Sequence, residues 1–294
     1  MTLSIISGGC DSKVLDGTGE SLAICGGCFN DAPPGSDICD LPLSRFTLAK
    51  SWSIGGAVAC FDISDDGLYL CFGEPLNKTI SSFELDAAWD IGNDGGNRTL
   101  FGQYVNSDNL DNIDGISYAD NGDQVWISAH TGSGTGQFIK YTLNEPYLFD
   151  ATTNAPTRIG ASNADGDGTI NITNDINIKP DGTSIIGWGN DSTNNLFQYD
   201  MPALDIANLA YAAKSSTVNA VSSFVSPSGN CLFTGATDTV SRFGFGTPWD
   251  VTTFGSVAED SLLISAETSV INGILVTADR MFVLGNATMY QYNA

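Results

Sequence analysis

Val225-Ser-Pro-Ser-Gly229 runs on to Cys231-Leu-Phe233; Val240-Ser-Arg-Phe243-Gly-Phe245 follows, then Pro248-Trp249-Asp250-Val251. Each of these three phrases recurs. The first returns as Ile63-Ser-Asp-Asp-Gly67, Tyr118-Ala-Asp-Asn-Gly122 and Ile178-Lys-Pro-Asp-Gly182, each followed by a short apolar run. A copy without the glycine is Val276-Thr-Ala-Asp-Arg-Met-Phe-Val283. Asp-Gly and Asn-Gly between apolar alternations permit the positive φ of a tight hairpin turn. The turn glycines 67, 122, 182 and 229 lie 55, 60 and 47 residues apart.

The second phrase is apolar-x-x-aromatic-x-apolar. It appears as Leu43–Leu48, Ile80–Leu85, Phe138–Leu143, Leu196–Met201, Val240–Phe245 and the terminal Met289–Tyr292. The third appears as Ala88-Trp89-Asp90-Ile91, Leu148-Phe149-Asp150 and Leu204-Asp205-Ile206, with a weaker relative at Ser51–Ile54. A twisted four-stranded antiparallel sheet cannot bury both faces alone, and radial repetition buries each face against the next copy. The expectation is an all-β propeller of about five four-stranded antiparallel blades. Five hairpins against six aromatic phrases leave a six-bladed ring as the alternative. Leu43–Leu48 then reads as a strand of the first blade or one that seals the ring with the last. The most helix-like stretch is Asp205–Lys214. Two regions follow: a Cys-, Gly- and Pro-rich N-terminal arm at 1–42 and the propeller at 43–294.

The net charge is −23, from 34 acidic and 11 basic residues. Such a chain repels nucleic-acid phosphates and anionic membrane surfaces. No apolar stretch is long enough for a membrane span, and the N-terminus lacks the basic n-region and long h-region of a secretory signal.

Few residues carry catalytic chemistry. His130 is the single histidine, which argues against multi-histidine metal catalysis. No nucleophile elbow or phosphate-binding loop is present. Asn163, Asp165, Asp167, Thr169 and Asn171 follow a calcium-loop spacing, with Gly168 at the turn and Asn174 where a bidentate Glu belongs. A plain Asx/Gly loop is the other reading. Asp108, Asp111 and Asp114 make a second acidic cluster. Cys10, Cys25, Cys28 and Cys39 crowd the arm, and the Cys25-Gly-Gly-Cys28 pair has zinc-ligand spacing. Zinc, disulfides and free thiols all remain open for them. Cys60 and Cys71 read as small buried apolar residues.

The repeat resembles one found in bacteriophage and environmental virus proteins, with a pattern near Ser-Pro-Asp-Gly…Tyr-Gln-Tyr-x-Leu-x-x-Pro-Trp-Asp-Ile. Here it is carried by Lys179–Gly182, Ser226–Gly229, Phe197–Tyr199, Tyr290–Tyr292 and Thr247–Val251, across residues 43–294. The resemblance implies a non-enzymatic virion component: a tail fibre, spike or capsid decoration, assembled in the host cytoplasm and exposed to the extracellular medium. On that reading residues 1–42 dock to other virion proteins, and loops such as 131–136 and 161–169 meet host-surface glycan or protein. The chain would be a homo-oligomer or part of a larger assembly, with no nucleic acid and no membrane insertion. The alternatives are a secreted lectin-like adhesion propeller and a propeller hydrolase of lactonase or glycosidase type, which would need convergent acidic or metal-binding residues at the central channel.

Overall fold

In the computed structural model the described residues are 37–294, apart from 76–77, 93–97, 106–111, 131–135, 150–155, 164–172, 190–194 and 215–219. Three short strands at Ile5–Ile6, Lys13–Leu15 and Ser21–Ala23, paired with one another, are also described.

Every glycine turn singled out in the sequence closes a hairpin. Gly67, Gly122, Gly182 and Gly229 all have positive φ. The hairpins extend into five four-stranded antiparallel sheets. Blade 1 comprises Cys60–Ile63, Tyr69–Glu74, Thr79–Leu85 and Arg98–Val105. Blade 2 comprises Asn112–Ala119, Gln124–His130, Gly136–Thr142 and Thr157–Asn163. Blade 3 comprises Thr173–Ile178, Ser184–Gly189, Asn195–Asp200 and Ala210–Lys214. Blade 4 comprises Ser222–Val225, Cys231–Ala236, Thr239–Gly244 and Asp260–Leu263. Blade 5 takes Gly273–Val276, Arg280–Leu284 and Thr288–Asn293 from the C-terminus and Thr47–Ser53 from the N-terminal side. We call the strands a to d, from first-listed to last.

The five a strands touch in cyclic order, with blade 5 meeting blade 1. The sheets therefore form a closed five-bladed propeller. The buried apolar residues fall into five clusters, one per seam between neighbouring blades. The aromatic of the second phrase sits on strand c and faces the preceding blade: Phe83, Tyr141, Tyr199, Phe243 and Tyr292. In blades 1, 2, 3 and 5 the outer strand bulges opposite that aromatic. A bulge twists an exposed edge away from further pairing.

Three expectations change. Of the readings of Leu43–Leu48, the strand that seals the ring with the last blade holds only from Thr47 onward; Leu43–Arg45 is a single 3₁₀ turn, so the stretch is not a sixth aromatic strand. Its place is the c–d connection of blade 5, where Leu43 is buried like Ile91, Phe149, Ile206 and Val251 in the other blades. Asp205–Lys214 is a 3₁₀ turn at Ile206–Asn208 followed by the outer strand of blade 3, because pairing with Phe197–Asp200 outweighs the local alanine content. Residues 37–42, placed in the arm by composition, pack onto the ring: Ile38 is buried in the blade 4/5 seam.

Antiparallel order puts the a–b turns and c–d connections on one face of the ring. The b–c turns and d–a connections lie on the other.

Candidate functional site: the central channel

The a strands line a central cavity of about 610 Å³. Counted back from the turn, Asp62, Ser117, Asn177, Phe224 and Leu275 occupy equivalent positions on the five a strands, and all five line the cavity. Blades 1 to 3 thus present polar groups and blades 4 and 5 an apolar wall. Two residues deeper, Cys60 and Asp175 line it, and the equivalent positions in blades 2 and 5 are Gly115 and Gly273. At the turn face the lining is completed by Asp65, Asn121, Lys179, Asp181, Trp89 and Trp249.

The acidic side chains here also hold the ring together. Asp62 Oδ2 accepts the Tyr118 backbone N–H from blade 2 at 2.8 Å, and Oδ1 accepts that of Ile63 at 2.9 Å. Asn177 Oδ1 makes the equivalent bond to the Val225 N–H of blade 4 at 2.9 Å. Its Nδ2 donates to Ser223 Oγ at 3.0 Å. Asp175 Oδ2 accepts from the Ser223 N–H at 2.7 Å, and Oδ1 from that of Ile176 at 2.8 Å. Burial penalises charge at both carboxyls. It pushes Asp62 up to about 8, opposed by the Tyr118 N–H and raised further by neighbouring Asp65. It pushes Asp175 up to about 7, opposed by the two N–H donors. Both residues are intermediate in exposure and line the cavity.

His130 ends strand b of blade 2. Its Nδ1 lies 2.7 Å from Asp114 Oδ2, and burial raises the Asp114 carboxyl while this bond lowers it. Asp108 and Asp111 lie outside the described residues. So do Asp165, Asp167, Thr169 and Asn171 of the calcium-type spacing; Asn163 is described only as the last residue of its strand. Among the described residues, no group of three or more His, Cys, Asp or Glu is placed to hold a metal. Cys60 and Cys71 are free and buried, and burial drives both thiols well above their ordinary range.

The four-cysteine reading of the arm needs correction. Cys39 forms a disulfide with Cys231, 192 residues away on strand b of blade 4. This removes Cys39 from any zinc set with Cys10, Cys25 and Cys28, which lie outside the described residues. The physical cause is the packing of 37–46 as the missing connection of blade 5. Asp37 Oδ2 accepts from Ser228 Oγ at 2.7 Å and Asn230 Nδ2 at 2.5 Å, both on the a–b turn of blade 4. The Leu43 N–H donates to Asp260 Oδ2 at 2.6 Å, and Arg242 Nη1 donates to Leu41 O at 2.5 Å.

Sequence reasoning had not singled out Asp62, Asp175 and Asn177. The available signal was positional: Asp62 and Asn177 each stand five residues before a turn glycine.

Fold and channel define the class: a five-bladed β-propeller, closed by the strand Thr47–Ser53 and cross-linked just before it, with an amphipathic central cavity. Comparison with solved structures finds distant likenesses. A candidate 6-phosphogluconolactonase from Bacteroides fragilis NCTC 9343 superposes with a TM-score of 0.46 at 13% identity, over 70% of this chain and 55% of that one. Its counterpart from Bacteroides uniformis ATCC 8492 gives 0.45 and 14% over the same shares. The chain thus spans about half the length of these proteins. No protein-family model and no curated protein matches the sequence.

Proposed function

We propose that this chain is a non-enzymatic structural protein of a bacteriophage particle, a tail fibre, spike or capsid decoration. Its propeller is exposed for host-surface binding, and the residues before the ring dock to other virion proteins. The virion assignment comes from the repeat resemblance. The observation that supports it is the Cys39–Cys231 disulfide and its location. Disulfides persist on virion surfaces and in other oxidising surroundings. This one ties the chain entering the ring to the a–b-turn face, through Cys39 and Asp37. The strand ends at His130, Gly136 and Asn163 lie on the opposite face. One face is thus suited to mounting and the other to contact with a host.

The test is composition. Particles of the phage that encodes this chain are banded on a density gradient and analysed by mass spectrometry. The chain should co-band with the capsid or tail proteins, and deletion of residues 1–36 should remove it from particles while leaving a folded propeller. Recovery of the chain only as a soluble secreted protein would favour the adhesion reading. Hydrolase activity of the monomer would favour the enzyme reading. Either result overturns the proposal.

A further inference from the structure

The mounting role leaves the channel unexplained. A propeller needs its a strands to pack, yet here they surround about 610 Å³, well within the size range of small-molecule pockets. The channel wall is divided in two. Asp62, Ser117, Asn177 and Asp175 supply oxygen and amide groups from blades 1 to 3, while Phe224 and Leu275 face them from blades 4 and 5. Phe224 is partly open to the channel.

We propose that the channel binds a small neutral polyol of monosaccharide size, its hydroxyls on the Asp62–Asn177 wall and its C–H face on Phe224. The inference stands apart from the virion reading, since the ligand site and the particle address are measured separately.

The chemistry narrows the ligand class by charge. Asp65 and Asp181 stand at the turn-face mouth of the cavity, with Lys179 as the cation there, and the chain carries a net −23. This field repels sugar acids and sugar phosphates. The bonds made by Asp62 and Asp175 described above are all received bonds, so a proton on either carboxyl is left to donate into the channel. Burial makes that proton persist to near neutral pH. A hydroxyl oxygen accepts such a proton; an ammonium group cannot. The apolar wall likewise suits the C–H face of a ring better than a hydrated cation.

The experiment is ligand-observed NMR on the purified full chain with D-glucose, D-galactose, myo-inositol and glycerol. Sodium gluconate is the anionic control and ethanolamine the cationic one. At least one neutral ring polyol should bind at pH 6.5, gluconate should not, and affinity should weaken as pH rises past 8. Ser117→Phe, which fills the channel, should abolish the signal. Phe224→Ala, the second variant should the first fail to fold, should weaken binding about tenfold. The proposal is overturned if no polyol binds at tens of millimolar. It is also overturned if ethanolamine binds more tightly with rising pH in their place, or if a folded Ser117→Phe protein binds as well as wild type.

Discussion

The indole of Trp249 lies on Gly229, so closely that a methyl group at Gly229 would overlap its Cδ1 and Nε1 atoms. The Trp249 backbone N–H donates to Gly229 O at 3.1 Å, and both residues have positive φ. The same contact recurs between Trp89 and Gly67, Tyr147 and Gly122, and Leu204 and Gly182. The turn glycine and a large residue in or just before the third phrase are thus two halves of one lock, joining the a–b turn to the c–d connection of the same blade. Gly229→Ala should therefore lose about 2–4 kcal/mol, from left-handed backbone cost plus overpacking. Gly56→Ala, with open space around it, should be nearly neutral. Urea unfolding of the two variants checks this. Equal stabilities would show that the contact restrains nothing.

This lock explains why so much of the fold could be read from sequence. A turn glycine and an aromatic or leucine some twenty residues on recur because blades 1 to 4 each use both. The blade count was harder. Leu43–Leu48 has the apolar spacing of strand c, but its backbone serves as a connection, since the last blade lacks one of its own and must borrow it from the N-terminus. Nor could the pairing of Cys39 with Cys231 be read, as nothing local marks partners 192 residues apart. Asp62 and Asp175 were hidden among 34 acidic residues. What distinguishes them is burial at a seam, a tertiary property.

Burial of Asp62 has a consequence for stability against pH. The folded protein holds this proton up to about pH 8, while the unfolded chain releases it near the ordinary aspartate value. Between those limits the native state binds more protons, so stability falls as pH rises. Asp62→Asn keeps an oxygen acceptor for the Tyr118 N–H, as Asn177 does for Val225. The variant should match wild type at pH 4 and melt at a higher temperature at pH 9. Identical melting curves at pH 9 would rule out a buried charge at this seam.

The disulfide should act chiefly on ring closure. It ties the segment that supplies the outer strand of blade 5, and it closes a long loop. Cys39→Ser should cost about 2–4 kcal/mol, and reduction of the wild-type protein should reproduce the loss. Cys60 and Cys71 are buried and should resist alkylation until the protein unfolds. Peptide mapping without reductant should recover Cys39 joined to Cys231. Recovery of Cys39 joined to Cys10, Cys25 or Cys28 would refute the pairing.

Between blades, the middle residue of the second phrase acts as a hook. Gln291 Oε1 accepts the Ile91 N–H of blade 1 at 3.1 Å, and Gln198 Oε1 accepts the Val251 N–H of blade 4 at 3.2 Å. Lys140 and Arg242 hold the same position and instead donate to a carbonyl, Leu204 O at 2.8 Å and Leu41 O at 2.5 Å. The polarity of the hook thus varies while its target remains the neighbouring connection. Gln291 is only 2% exposed, so Gln291→Met removes a buried hydrogen bond from the Ile91 N–H. Such a loss costs about 0.5–1.5 kcal/mol. The loss should localise: amide exchange at Ile91 should speed up, while Val251, held by the intact Gln198 hook, should exchange as in wild type. Uniform acceleration across both seams would mean that the hooks do not act blade by blade.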